Sequence, residues 1–377
     1  MRIASVVGTR PQLIKAAVLQ PILRARHEEL FIDTGQHYDD ALAGAFIDEL
    51  GLVPPDHQLS IGRGSATEQT AAILARLEPI LTADRPDLLI VYGDTNSTLA
   101  GAIAAAQLQL PLAHVEAGLR SFDRRMPEEV NRLIVDHLST WAFAPTSTAV
   151  DNLAAEGIIQ GVALVGDLMQ DLAARISVEV RDPVVLAAIE ARLATQAPGL
   201  RLRPGSYLLA TVHRAENREP AALRAWAELL AAVASGTRPV VLALHPGTQA
   251  ALTAAGISLA PAIRVIQPQG YRTALALQLH AAAVLTDSGG VQREAAWLGV
   301  PCLVLRSTTE WLEAVADSGG RMVVVGLDRD LAVDALARLA PESSAAADAA
   351  QRATTLRLAP AGAAEAIVDR LEAGLPA

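Results

Sequence analysis

The stretch Thr286-Asp287-Ser288-Gly289-Gly290-Val291-Gln292-Arg293-Glu294 concentrates residue types that can hold a phosphorylated ligand. An apolar run at 281–285 reads as a buried parallel strand, and 291–298 reads as a helix closed by Gly299 and Pro301. Ser288-Gly289-Gly290 therefore falls where strand turns into helix. The two glycines let a ligand approach the backbone, and Ser288 can cap the helix and donate a hydroxyl. Free N–H groups and the positive end of the helix complete an anion site. Glu294 lies about one turn into the helix, where its carboxylate can accept a hydroxyl from a ribose. Phosphate and sugar together point to a nucleotide. The same residues also fit a plain tight turn with a capping serine.

Other turns repeat the arrangement. Arg2–Val7 reads as a strand, followed by Gly8-Thr9-Arg10-Pro11-Gln12 and a helix that places Lys15 on the side of Arg10. Two cations opening a helix make a second phosphate site, or two ordinary surface charges. A strand at 30–33 leads to Thr34-Gly35-Gln36-His37, Leu88–Tyr92 leads to Gly93-Asp94-Thr95, and a strand at 111–115 leads to Glu116-Ala117-Gly118. In a parallel α/β sheet such loops share one edge, so Arg10, Gln36, His37, Asp94 and Glu116 can converge there. Pro127-Glu128-Glu129-Val130-Asn131-Arg132 opens a helix, a position that favours carboxylates. Each acid taken alone also reads as a cap or an ion-pair partner. A second strand–helix series has strands at 207–212, 239–244, 263–266, 282–286, 302–305 and 322–325, with His213-Arg214-Ala215-Glu216-Asn217 after the first.

A chain of 377 residues, 51% hydrophobic and 19% charged, has room for two α/β domains with substantial cores. Aromatic residues make up only 3%, so those cores are aliphatic. A net charge of −10 argues against a general nucleic-acid binder, though local cations can still hold one phosphorylated ligand. The single cysteine, Cys302, excludes an intrachain disulfide and a cysteine-rich metal site, and reads as a small core residue. A strand starts at once with no signal peptide before it, and no apolar stretch is long enough to span a membrane, so the expected location is the cytoplasm. No metal-spaced histidine cluster or nicotinamide fingerprint stands out, and neither metal nor cofactor is expected.

In order along the chain, Gly8-Thr9-Arg10-Pro11, Thr34-Gly35-Gln36-His37, Gly93-Asp94-Thr95, His114-Val115-Glu116-Ala117-Gly118-Leu119-Arg120, Pro127-Glu128-Glu129-Val130-Asn131-Arg132, His213-Arg214-Ala215-Glu216-Asn217 and Thr286-Asp287-Ser288-Gly289-Gly290-Val291-Gln292 resemble the non-hydrolysing UDP-N-acetylglucosamine 2-epimerases nearly end to end. The resemblance implies an α/β fold of two Rossmann-like domains facing a central cleft, of the glycosyltransferase-B type, with UDP-sugar in the cleft. It places an N-terminal domain with the catalytic carboxylates at 1–166, a UDP-binding domain at 167–358, and a C-terminal helix within 359–377 that returns to the first domain. It also implies an isomerase, a homodimer in the family's usual habit, that supplies precursors of cell-surface polysaccharide. A base removes the proton at sugar C2 and UDP leaves C1, giving a 2-acetamidoglucal. Reprotonation on the other face and re-addition of UDP then invert C2. By motif position Asp94, Glu116 and Glu128 would be the acid/base carboxylates, and His213 would contact the diphosphate or relay a proton. Arg10, Lys15, Gln36, His37, Arg132, Arg214, Gln269, Ser288, Gly289, Gly290, Glu294 and Trp311 would bind the substrate.

Departures from the family pattern bear on the substrate. Gln12 replaces the usual Glu, Ala274 stands where a uracil-stacking Phe is common, and Trp311 replaces an Arg that contacts UDP. The terminal Gly-Asp-Gly has become Ala361-Gly362-Ala363. Gln12, Glu310-Trp311 and Arg125-Met126-Pro127-Glu128-Glu129 are similar to the branch that epimerises UDP-2,3-diacetamido-2,3-dideoxyglucuronate. A hydrolysing epimerase and a glycosyltransferase are further alternatives on this fold. A non-catalytic nucleotide sensor is a fourth, against which the three carboxylates speak.

Overall fold

The computed structural model describes residues 1–36, 49–309, 311–355 and 361–374; His37 and Glu310 lie outside them. The chain divides into two compact α/β units, one formed by Met1–Leu172 with Pro360–Ala377 and the other by Ala173–Ala359.

The first unit is built on seven strands, β1 (Arg2–Val7), β2 (Glu28–Asp33), β3 (His57–Gln58), β4 (Leu88–Tyr92), β5 (Leu112–Val115), β6 (Trp141–Ala144) and β7 (Val162–Leu164). All pair in parallel, in the order β3-β2-β1-β4-β5-β6-β7. Helices cover both faces of such a sheet, so its strands are continuous apolar runs, and every residue of β4 is buried. The chain leaves β1 in one direction for β2 and returns on the other side for β4. In open parallel sheets the strands' C-terminal ends at such a reversal, here between β1 and β4, are where ligands bind.

Local signals set the helix boundaries. Ser65 and Glu68 form a reciprocal capping box at the start of Ala66–Asp84 (Ser65 N–H to Glu68 2.9 Å, Glu68 N–H to Ser65 3.2 Å). Proline occupies the first turn of Pro127–Leu138, Pro183–Leu193, Pro220–Val233 and Pro246–Ala254, where its missing N–H costs nothing. Helix Asn96–Gln107 rides directly on β4, because a Cβ at Gly101 would stand 2.8 Å from Val91. The first helix runs Arg10–Arg26, three residues beyond the end at Leu23 that the sequence suggests.

The second unit repeats the plan with β8 (Leu208–Val212), β9 (Val240–Leu244), β10 (Ile263–Ile266), β11 (Val284–Thr286), β12 (Cys302–Val304) and β13 (Met322–Val324), all parallel, in the order β10-β9-β8-β11-β12-β13. Its reversal lies between β8 and β11. Trp226 is fully buried in the aliphatic core, and its indole N–H donates to the Asn217 carbonyl at 3.1 Å. Cys302 is buried in β12, where desolvation pushes its thiol up to about 12. The strand before the glycine turn starts at Val284 and the helix after it at Gly289, so the turn is shorter than the apolar pattern suggests.

The C-terminal helix Ala363–Glu372 belongs to the first unit and packs on Arg10–Arg26, with Arg26 bonded to Asp369 at 2.6 Å and Glu372 at 3.2 Å. Its N-terminus carries no cap of its own. The Asp171 carboxylate accepts from the N–H groups of Gly362, Ala363 and Ala364 at 2.9, 2.9 and 3.3 Å. A remote carboxylate thus serves as cap and complements the helix dipole. Asp171→Ala is expected to cost about 1–2 kcal/mol, the scale of a lost cap. Denaturant unfolding of the variant followed by circular dichroism measures it, and an unchanged midpoint would show that the helix does not depend on this cap.

Candidate active site

In the first unit, the loops after β1, β4 and β5 bring together residues far apart in sequence. Lys15, on the first turns of Arg10–Arg26, forms a close ion pair with Glu116, which follows β5. Both side chains are largely buried, at 7% and 12% exposure. The pair lies against the turn after β4: a Cβ on Gly93 would stand 3.3 Å from Glu116 Oε2 and 3.4 Å from Lys15 Nζ. Glu116 takes φ +75°, a left-handed conformation that costs a non-glycine residue about 1–3 kcal/mol and persists where the surroundings impose it. Its N–H and that of Ala117 both donate to the Phe143 carbonyl, at 3.1 and 3.0 Å.

Asp94 accepts from Arg132 Nε at 3.0 Å and Nη2 at 2.6 Å, and its backbone carbonyl accepts from the Asn131 amide at 2.8 Å. Arg132 also bonds Glu129 at 2.7 Å. Burial opposes its charge, but Asp94 and Glu129 outweigh that and raise its pKa. The adjacent carboxylates Glu128 and Glu129 are separated by environment. Glu129 is 1% exposed and accepts from the Ser121 N–H and hydroxyl (2.8 and 3.0 Å) and the Phe122 N–H (2.9 Å). Desolvation works against its ionisation, yet these donors and Arg132 hold it below the usual carboxylate range. Glu128, one residue earlier, is exposed. Glu129 holds the loop before the helix, while Glu128 faces solvent.

Gln12 knits two of these loops together. Its carbonyl oxygen accepts from Gly8 N–H at 2.8 Å and Thr9 N–H at 3.1 Å, and its amide nitrogen reaches the Tyr92 carbonyl at 2.7 Å and the hydroxyls of Thr95 and Thr98 at 2.9 Å. An amide can both accept and donate here, which an ionised carboxylate cannot. Gln36 does similar work: it is buried and accepts from the N–H and hydroxyl of Ser97 at 2.9 and 2.7 Å. Arg10 is exposed at the start of its helix.

In the second unit, the fully buried Asp287 organises the edge between β8 and β11. It accepts from the His213 N–H (3.0 Å), the Arg214 N–H (2.9 Å) and the Asn217 amide (2.8 Å), and lies 3.1 Å from His213 Nδ1. The His213 ring is still 47% exposed. Ser288 caps the helix Gly289–Trp297 through Val291 N–H at 3.5 Å, and its own N–H donates to Thr286 at 2.9 Å. Glu294 is buried and accepts from the Gln278 amide at 2.5 Å. Gln269 is held by the Gln267 carbonyl at 2.8 Å and by Gln196 at 3.3 Å. The Arg293 guanidinium lies 3.9 Å from the Trp311 ring centroid and 5.7 Å from that of Trp297. One face of Trp311 is therefore occupied by the chain's own cation.

Gln278 lies outside the motifs, while Asp287, Arg293 and Asn131 lie within them but carry no role that the motifs assign. One available signal was a polar residue inside an apolar strand: His114, in Leu112–Val115, is wholly buried and so must have partners.

Residues 22–372 match the model of the UDP-N-acetylglucosamine 2-epimerase family. The chain is 41% identical over 347 residues to a UDP-N-acetylglucosamine 2-epimerase homolog of Methanococcus maripaludis, covering 91% of this chain and 94% of that one. It is 42% identical over 340 residues to the UDP-2,3-diacetamido-2,3-dideoxy-D-glucuronate 2-epimerase of Pseudomonas aeruginosa, covering 89% and 91%. Among solved structures, the Methanocaldococcus jannaschii UDP-GlcNAc 2-epimerase in complex with UDP-GlcNAc and UDP superposes with a TM-score of 0.83 at 33% identity, over 99% of this chain and 100% of that one.

The surroundings of Asp287 have a consequence for pH. Burial alone would raise its pKa, but the donors from His213, Asn217 and Arg214 outweigh burial and hold it below the usual carboxylate range. A carboxyl depressed in the folded state contributes stability that is present above its unfolded pKa, near ~4, and is lost as pH falls through its folded value. Asp287→Asn is expected to cost about 1–3 kcal/mol at pH 7, from donors left without their charged acceptor. The gap to wild type should close as pH falls below ~4. Denaturant unfolding across pH reads this, and a gap independent of pH would show that the charge of Asp287 is immaterial.

Proposed function

The chain belongs to the UDP-N-acetylglucosamine 2-epimerase family, a family of isomerases, and we propose that it interconverts UDP-N-acetylglucosamine and UDP-N-acetylmannosamine by eliminating and re-adding UDP. The observation that carries this reading is the convergence of Lys15, Glu116, Asp94 and Arg132 on the loops at the reversal of the first sheet.

A carboxylate takes the C2 proton, the C2–H electron pair becomes the C1–C2 double bond, and the C1–O bond breaks with its pair on the diphosphate oxygen. A second carboxylate, protonated, returns a proton to C2 from the opposite face, and the diphosphate oxygen attacks C1 again. Atoms and charge balance with no redox partner. The C2 proton is weakly acidic, so removal needs a positioned base and stabilisation of the departing diphosphate together. Asp94, Glu116 and Glu128 are the proposed acid/base groups. Arg132 on Asp94 and Lys15 on Glu116 fix their aim. Ser288, Gly289 and Gly290 at the helix N-terminus, with Arg10, His213 and Arg214, supply donors and positive charge for the diphosphate, and Glu294 takes the ribose. Gln36, His37, Gln269 and Trp311 complete the proposed substrate contacts, and a cytoplasmic homodimer is the setting the family resemblance implies.

A second reading takes the diacetamido-glucuronate sugar as substrate. Its support is the 42% identity to the Pseudomonas aeruginosa enzyme and the presence of Gln12 and Trp311 at departures typical of that branch.

Proton NMR of the protein with each UDP-sugar in deuterium oxide tests both readings. The expected result is inversion at C2 with deuterium incorporated there in substrate and product. Inversion without deuterium would exclude proton abstraction at C2, and no inversion of either sugar would exclude the epimerase. Asp94→Asn, Glu116→Gln and Glu128→Gln should each lower turnover by at least ~100-fold while UDP still binds. For the glycine turn, a Cβ at Gly290 would meet, among the described residues, only Ser288 Oγ at 3.9 Å, so Gly290→Val should fold normally. It should nevertheless weaken UDP binding, measured calorimetrically, by blocking approach to the backbone. Unchanged UDP affinity would move the diphosphate elsewhere.

A further inference from the structure

We propose that Asp136 and His114, which touch no substrate, are positioning residues that set the aim of both Asp94 and Glu116; the inference rests on the reading that these two carboxylates move the C2 proton. His114 and Asp136 are wholly buried. His114 Nε2 lies 2.7 Å from the Gly93 carbonyl, on the turn that carries Asp94, and Nδ1 lies 2.6 Å from Asp136 Oδ1. The other oxygen, Oδ2, accepts from the Gly118 N–H at 3.1 Å, on the turn that carries Glu116, and lies 2.7 Å from Arg120 Nη1. One carboxylate therefore ties both turns, the first through an imidazole and the second directly.

An Asp–His pair invites comparison with a catalytic base, but here the outer ring nitrogen is spent on a backbone carbonyl and no part of the ring reaches solvent. Both ring nitrogens are engaged, one by a backbone carbonyl and the other by a carboxylate, so the ring is held at each end. The result is a fixed strut. Its surroundings leave little slack. Arg120 is clamped by both oxygens of Glu156 at 2.7 Å, and the Asn152 amide donates to the Gly118 carbonyl at 3.0 Å. A Cβ on Gly118 would lie 2.3 Å from the Ala149 carbonyl, so that turn cannot shift toward helix Ser147–Ala155. On the other side, the Gly93 backbone abuts the Lys15–Glu116 pair. Asp136 also lies one helical turn after Arg132, so the helix that grips Asp94 from one side seats the strut from the other. Displacing the Gly93 carbonyl would move Asp94 relative to Glu116, and a misplacement of about 1 Å at a reacting group is enough to cost ~100-fold in rate.

Three variants test this on a UDP-sugar that wild type turns over: Asp136→Asn, His114→Leu and His114→Gln. The last keeps a side-chain N–H able to reach the Gly93 carbonyl. The expected result is a fall in kcat of about 100-fold for Asp136→Asn and His114→Leu, with calorimetric UDP affinity within about twofold of wild type. His114→Gln should recover about tenfold over His114→Leu. Folded variants with wild-type kcat would overturn the proposal, as would kcat and UDP affinity falling together, or no recovery by His114→Gln. Failure of all three to accumulate as folded protein would assign the network to the core alone, and likewise overturn it. Absence of C2 exchange in wild type would instead sink the epimerase reading and remove the role with it.

Discussion

A buried carboxylate that ties one loop to another is the interaction on which each half of this protein depends. Strand order brings loops to a common edge, but it does not fix their spacing. In the second unit Asp287 does so, drawing the His213–Asn217 loop onto the turn before helix Gly289–Trp297. In the first, Asp136 joins the turn after β5 to the turn after β4 through His114. A charge buried without partners would cost several kcal/mol, so such a carboxylate survives only where every donor is in place. The same requirement makes it a stringent organiser, because a displaced loop leaves the charge unsatisfied.

Around these fixed points the proposed acid/base groups are held with graded freedom. Glu129 is fully committed to its loop, whereas Glu128 next to it stays exposed. Asp94 and Glu116 are intermediate, each gripped by one cation and partly buried, with side chains 31% and 12% exposed. Glu116 also carries backbone strain, at φ +75°, that the contacts with Phe143 and Lys15 sustain. A carboxylate that must take and return a proton needs a defined direction without losing access to substrate. Partial burial beside a cation meets both needs.

The departures from the family pattern become physical once placed. Gln12 is a neutral clamp whose two ends meet opposite needs, acceptors toward Gly8 and Thr9 and donors toward Tyr92. Trp311 does not simply replace a cation with a ring. It stacks on Arg293, so a positive charge returns to the neighbourhood from an adjacent helix.

The strand ends and the turns after them were legible in the amino-acid sequence, because they depend on local chemistry. Apolar runs bounded by glycine marked β1 and β4 to the residue, and Ser288 before two glycines announced a helix start. The parallel α/β class and the family followed from the order of such turns. Pairing was not legible. Lys15 meets Glu116 across 101 positions, Arg132 meets Asp94 across 38 and Asp287 meets the His213 N–H across 74. Those distances close only when β4 inserts beside β1, and β11 beside β8. Nor does any local pattern separate Glu128 from Glu129, since both suit a helix N-terminus; which one is buried depends on where Ser121 and Phe122 return. His114 reads as one polar residue in an apolar strand until the helix that carries Asp136 packs against it. Propensity and capping act over a few residues and are written into the chain, whereas burial and charge pairing act through space and exist only once the sheet order brings their partners together.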